Sequence, residues 1–116
     1  MLIFALFACV TAENFASKTD AVLCQRTEEC DKGAFEGRWS DQGECRDELD
    51  QQYDATMSCY LDNCTFDDAE ANDCLKAMRT STCDDFTSAD YASDCDNVWQ
   101  ECDMVDVALC IVGVAA

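Results

Sequence analysis

The sequence contains no histidine and no proline, only four glycines, and only seven basic residues among 116. Without histidine there is no His-dependent hydrolase and no Cys/His zinc set. No Cys-x-x-Cys pair occurs either, which removes the thioredoxin-type redox motif and the usual zinc knuckles. The shortage of Lys and Arg leaves a net charge of −18. A chain so acidic is repelled by nucleic acid and by anionic membrane surfaces. It suits solubility, cationic partners or loose association with divalent cations. The plainest reading is a solvated acidic shell. Leu, Ile and Val are also sparse, with only Leu49, Leu61 and Leu75 between residues 25 and 97. The core must then lean on aromatics, alanines and cystines.

What is present in excess is cysteine, eleven in all. That density belongs to disulfide scaffolds of oxidising compartments, where covalent staples supplement a small core. The expected location is extracytoplasmic, at a bacterial outer envelope or secreted. Residues 1–8, MLIFALFA, form an uncharged apolar run that reads as a signal core lacking its basic start, and it is too short to span a membrane. Two processing sites compete. Leu6-Phe7-Ala8-Cys9 resembles a lipobox, which would make Cys9 a lipidated mature N-terminus. Val10-Thr11-Ala12 offers ordinary cleavage before Glu13. Either route leaves ten cysteines for five bridges: Cys24, Cys30, Cys45, Cys59, Cys64, Cys74, Cys83, Cys95, Cys102 and Cys110. Their pairing stays open. The chain thus divides into a signal or lipobox segment (1–12), a tether (13–19) and a single cysteine-rich domain (20–116).

The absence of proline and the long polar–apolar periods predict an all-α fold, a disulfide-stapled bundle of about four short helices. A first helix is expected from Ser17 to Asp31, with Phe15, Val22, Leu23 and Cys30 inward and Gly33 ending it. The second, from the Asp41/Glu44 capping box to about Tyr60, contains CRDELDQQYDATMSC without interruption. Cys45 and Cys59 would share its inner stripe with Leu49, Tyr53, Met57 and Tyr60. They lie roughly 21 Å apart on an intact helix, so each must bond to another segment. Thr65 is the expected cap of a third helix with Ala71, Cys74, Leu75 and Met78 inward. Residues 80–87 form a connector. Thr87 or Ser88 starts a fourth helix carrying Tyr91, Cys95, Val98, Trp99 and Cys102. There Cys95 and Cys102 sit about 10 Å apart, so they too need separate partners. The apolar tail from Met104 is expected to pack as a strand or turn tied down by Cys110.

No set of residues reads as catalytic, so the chain is not expected to be an enzyme, and no cofactor or metal is implied. Asp94-Cys95-Asp96 begins like a calcium loop but lacks its glycine and closing glutamate. Asp67-Asp68 and Asp84-Asp85 are acid pairs without ligand spacing. Asn63-Cys64-Thr65 fits a glycosylation sequon, with a cysteine in the middle. The best recognition surface is the loop 32–43, which holds Phe35, Arg38 and Trp39, residue types that anchor interfaces.

The motifs CQRTEEC, W-x5-C-R-x2-L, C-x-F-D-x-A-x4-CLKAMRTSTC and C-x3-W, spanning Cys24 to Trp99, resemble small cysteine-rich predicted lipoproteins of myxobacterial type. That resemblance implies a compact helical disulfide domain at the bacterial envelope and carries over no catalytic residue. The functional expectation is a non-enzymatic extracytoplasmic binding or structural domain. It would be a cell-envelope lipoprotein meeting a protein partner or envelope component, and touching membrane only through a lipid on Cys9. The alternative is a secreted effector or inhibitor that binds its partner through the loop 32–43.

Overall fold

The computed structural model describes residues 10–115. The signal-like segment and the lipidation candidate Cys9 lie outside the described residues. Helix α1 spans Phe15–Cys30, α2 Lys32–Arg38, α3 Gln42–Asn63, α4 Asp68–Thr80, α5 Cys83–Thr87 and α6 Met104–Ala115. A 3-10 turn covers Asp90–Cys95, and two short strands, β1 (Thr65–Phe66) and β2 (Trp99–Gln100), pair antiparallel. The fold is all-α in substance, with more and shorter pieces around three long helices than the periodicity suggested.

α1 is the hub, packed against α2, α3, α4 and α5. It starts at Phe15, not Ser17, because the preceding turn is closed by two reciprocal bonds. The Thr11 amide donates to Asn14 Oδ1 (2.8 Å) and the Asn14 amide to Thr11 Oγ1 (3.2 Å). The supposed tether 13–19 therefore belongs to the fold. Phe15 and Ala16 are buried, and so is Val10 ahead of them. At the other end α1 stops at Cys30 without help from Gly33, which lies inside α2. Asp31 breaks the helix and caps the next one, accepting from the Ala34 amide (3.2 Å). The expected loop 32–43 is thus mostly helix.

α3 begins at the Asp41 cap that the sequence marks, although Glu44 reaches back to Ser40 and not to the Asp41 amide. Asp41 Oδ1 accepts from the Glu44 amide (2.8 Å), while the Glu44 carboxylate takes up the Ser40 amide (3.3 Å) and hydroxyl. Its inner stripe is buried at Cys45, Leu49 and Cys59, whereas Tyr53 is half out in solvent. Cys45 bonds to Cys24 and Cys59 to Cys110. The brace is fixed to two different segments, as its length demands.

Thr65 is a strand residue, and the cap of α4 is Asp67, which accepts from the Glu70 amide (3.0 Å). The inner face of α4 is Ala71, Cys74, Leu75 and Met78, as expected. Residues 80–87 are more than a connector, since Thr82 caps the short α5 through the Asp85 amide. The long fourth helix does not form. Ala89 and Glu101 adopt positive φ (61° and 52°), which ends helix on either side. Between them, Cys95 is drawn to Cys74 and Cys102 to Cys64. Hydroxyls in this stretch (Thr87, Ser88, Ser93) bond back to local carbonyls and compete with helix geometry. Cys95 and Cys102 do have separate partners, on an extended turn and not on one helix.

The tail is a helix, not a strand. Asp103 caps it, accepting from the Asp106 amide (3.2 Å), and Cys110 fastens it to α3. The fifth bridge joins Cys30 to Cys83, tying α1 to α5. Three bridges are nested: Cys59–Cys110 encloses Cys64–Cys102, which encloses Cys74–Cys95.

Two buried clusters result. The larger gathers Val10, Phe15 and Val22 with the inner face of α4 and Val98, flanked by Phe66 and Trp99. The smaller surrounds the Cys24–Cys45 bridge with Phe35, Trp39 and Leu49, and Leu23 packs against both.

Candidate functional site

The recognition trio separates. Phe35 (1 % exposed) and Trp39 (8 %) are core residues with ring centroids 5.4 Å apart. Only Arg38 reaches solvent, and it is already engaged: its guanidinium lies 4.7 Å from the Trp39 ring and 2.6 Å from Glu48. The Trp39 indole N–H donates to the same carboxylate. Hydrogen bonds from Arg38 and Trp39 hold the Glu48 carboxyl below its ordinary range. The arrangement staples α2 to α3 and leaves neither Phe35 nor Trp39 exposed. A surface aromatic would have cost solvation that this small core recovers by turning both rings inward.

The acid pairs are also explained locally. Asp67 caps α4 and accepts from Gln100 Nε2 (3.2 Å), and Asp84 and Asp85 lie in the first turn of α5, where carboxylates are favoured. Among the described residues no group of three or more metal-ligating side chains occurs. The sequon residue Asn63 donates its side-chain amide to the Cys59 carbonyl (2.9 Å), with its neighbour Cys64 in a bridge. Every described cysteine is disulfide-bonded, so none is a nucleophile.

One chemically unusual place was not singled out by the sequence. Asp20, on the inner side of α1, is 2 % exposed, and it is the one buried charged residue among those described. It faces Asp50 on α3, and neither Asp20 Oδ2 nor Asp50 Oδ1 finds a donor. Two carboxyls can hydrogen-bond to each other only if one holds a proton. Burial first, then Asp50 and Asp54, push the Asp20 pKa up to about 8. Asp20, but not Asp50, borders a cavity of about 170 Å³ whose other lining residues are Ala16, Thr19, Leu23, Tyr53 and Met57. A signal was present in the sequence: Asp20 stands in helical register with Ala16, Leu23 and Cys24, an acid on an otherwise apolar stripe.

A second unusual surface is α6. Val107 is buried, but Met104, Val105, Leu109 and Val112 are each at least 60 % exposed. No helix among the described residues is long and apolar enough to cross a membrane.

No protein-family model, curated protein or solved structure matches the chain.

Proposed function

We propose that this chain is a non-enzymatic binding or structural domain of the bacterial cell envelope, held to the membrane by a lipid on Cys9. Five bridges consume all ten cysteines from Cys24 onward, which is compatible with an oxidising, extracytoplasmic home. Cys9 is the eleventh cysteine and lies outside the described residues. The observation that carries the choice of processing site is Val10. It is 5 % exposed in the larger core cluster, and Thr11 closes the first turn of α1. Cleavage before Glu13 would remove both. Cleavage before Cys9 keeps both, and the lipidated residue would immediately precede the core residue Val10 in sequence. The resemblance to myxobacterial-type lipoproteins favours the same reading.

The alternative, an effector acting through residues 32–43, loses its support because Phe35 and Trp39 are core. The test is expression with the leader in a bacterium that processes lipoproteins, with a labelled fatty acid. Label retained by the wild type and lost in Cys9→Ser, with a mature chain beginning at residue 9, supports the anchor. An unlabelled mature chain beginning at Glu13 refutes it.

A further inference from the structure

We propose that Cys30–Cys83 is a redox latch: opened by a dithiol, it frees residues 81–89 from α1 while the rest of the domain stays folded. The inference does not depend on a lipid at Cys9. It starts from the way the bridges partition the chain. Cys64–Cys102 closes residues 64–102 on themselves, and Cys74–Cys95 lies inside that loop. Cys24–Cys45 and Cys59–Cys110 have both ends outside it. Among the described cysteines, Cys30 and Cys83 form the one bridge that crosses between the two units. Once it is cut, the units are joined by the backbone and by packing alone.

The same bridge is the one most open to attack. Cys83 is the one exposed cysteine among the described residues; Cys30 is half-buried, and the others are half-buried or buried. Exchange needs a thiolate to reach a sulfur, so access favours this site. What the latch holds is also lightly docked. α5 contributes a single buried side chain, Phe86, which lies 5.5 Å from the Arg26 guanidinium and stacks on Tyr91 with centroids 5.6 Å apart. Arg26 also donates to the Ser81 carbonyl. At the far end Ala89 is held at φ 61°, a left-handed conformation that strains an alanine. A cavity of about 380 Å³ lies between this segment and α1, with Leu23, Thr27 and Cys30 on one wall and Phe86, Thr87 and Ala89 on the other.

Release stays local because the main contact between the units lies elsewhere. Val22 of α1 packs with Ala71, Leu75 and Met78 of α4 in the larger core, to which Phe86 does not belong. The chemistry is ordinary exchange. A thiolate of the dithiol attacks Cys83 Sγ, the S–S bond breaks, and its electron pair leaves on Cys30 Sγ, which takes up a proton. The second thiol of the dithiol, on losing its proton, displaces Cys83 from the mixed disulfide. The bridge thereby gains two electrons and two protons, and the dithiol becomes a disulfide. The opened form uncovers Phe86 and the α1 wall at Leu23 and Thr27, and reoxidation covers them again.

Graded reduction of the folded, oxidised protein with dithiothreitol tests this, with thiols trapped by N-ethylmaleimide and located by peptide mapping. Cys30 and Cys83 should be labelled about tenfold faster than any other pair. Protein labelled at these two alone should keep its helical circular dichroism. Its amides 81–89 should exchange faster with solvent, while those of α1, α3 and α4 stay protected. Cys30→Ser/Cys83→Ser should show the same exchange pattern without reductant; if that variant does not mature, the labelled wild type decides alone. The proposal is overturned if another bridge opens first, if all five open together, if the doubly labelled protein unfolds, or if amides 81–89 stay as protected as in the oxidised form.

Discussion

The two bridges anchored on α3 should behave oppositely to what their loop lengths imply. Cys24–Cys45 closes 21 residues and Cys59–Cys110 closes 51. Chain entropy alone assigns them about 3.3 and about 4.1 kcal/mol, so the longer should matter more. The surroundings reverse that order. Both sulfurs of Cys24–Cys45 are fully buried among Phe35, Trp39 and Leu49. Replacing both cysteines by alanine adds a small void, about 1 kcal/mol per truncated group, to the lost crosslink. The total of about 5 kcal/mol falls on the contact between α1 and α3, the two helices against which α2, α4, α5 and α6 pack. At about 4–8 °C per kcal/mol for a domain of this size, the melting temperature should fall by about 20 °C or more.

Cys59–Cys110 holds a helix with one well-buried described side chain, Val107. Burying that valine contributes about 1.5–3 kcal/mol, while ordering the twelve residues of α6 costs about 1–2 kcal/mol each. Helix hydrogen bonds offset part of that cost, but without the crosslink α6 should undock locally. The Cys59→Ala/Cys110→Ala protein should melt within about 5 °C of wild type, and amides 104–115 should exchange rapidly. Thermal melting paired with hydrogen exchange reads both effects. Equal falls in melting temperature for the two variants, or protected α6 amides after Cys59–Cys110 is removed, would refute the reasoning.

Other outcomes follow from the same contacts. The raised pKa of Asp20 means the folded state holds a proton that the unfolded chain releases above about pH 4, so this group's stabilisation is intact at low pH and is lost as pH climbs towards 8. The loss is about 1.4 kcal/mol per pH unit in that window. The stability difference between Asp20→Asn and wild type, followed by guanidinium unfolding from pH 4 to 9, should therefore grow with pH and level off above about 8; a flat difference would count against the pair. Trp39→Ala should cost about 3–5 kcal/mol by emptying the smaller core. Trp39→Phe should cost less, about 2 kcal/mol for the charge-assisted bond to Glu48, as measured by denaturant midpoint. A chain starting at Glu13 should be about 2–4 kcal/mol less stable than one starting at Val10, having lost a buried valine and a cap; matching melting curves would mean Val10 is dispensable.

The sequence disclosed what local periodicity and local bonding decide. α3 was legible because Asp41 and Glu44 mark its start and no breaker interrupts the stripe from Cys45 to Cys59. The inner face of α4 was legible for the same reason. The stretch from Ser88 to Cys102 was misread because its apolar period is helical, while Cys74 and Cys64, distant in sequence, dictate its path through covalent bonds. The tail was misread because an apolar run of this length serves strand or helix equally until a capping bond, here from Asp103, decides. Phe35 and Trp39 looked like surface anchors because three neighbouring glycines suggested a loop; Asp31 instead caps a helix through them. Asp20 was passed over because one acid among 25 becomes informative only when α3 brings Asp50 against it.

The nested arrangement of bridges has a consequence for how the protein matures. Every native pair skips at least one intervening cysteine: Cys24 passes over Cys30 to reach Cys45, and Cys74 passes over Cys83 to reach Cys95. A chain exported N-terminus first presents its thiols in numerical order. An oxidase that joins each new thiol to the last one waiting would make a wrong bond at every step. Under such an oxidase the correct set is reached by thiol–disulfide exchange, with Cys74–Cys95 able to close before the two bridges that surround it. Production of this domain should therefore be limited by isomerase activity in its compartment, and its yield should collapse in a host that oxidises but does not reshuffle.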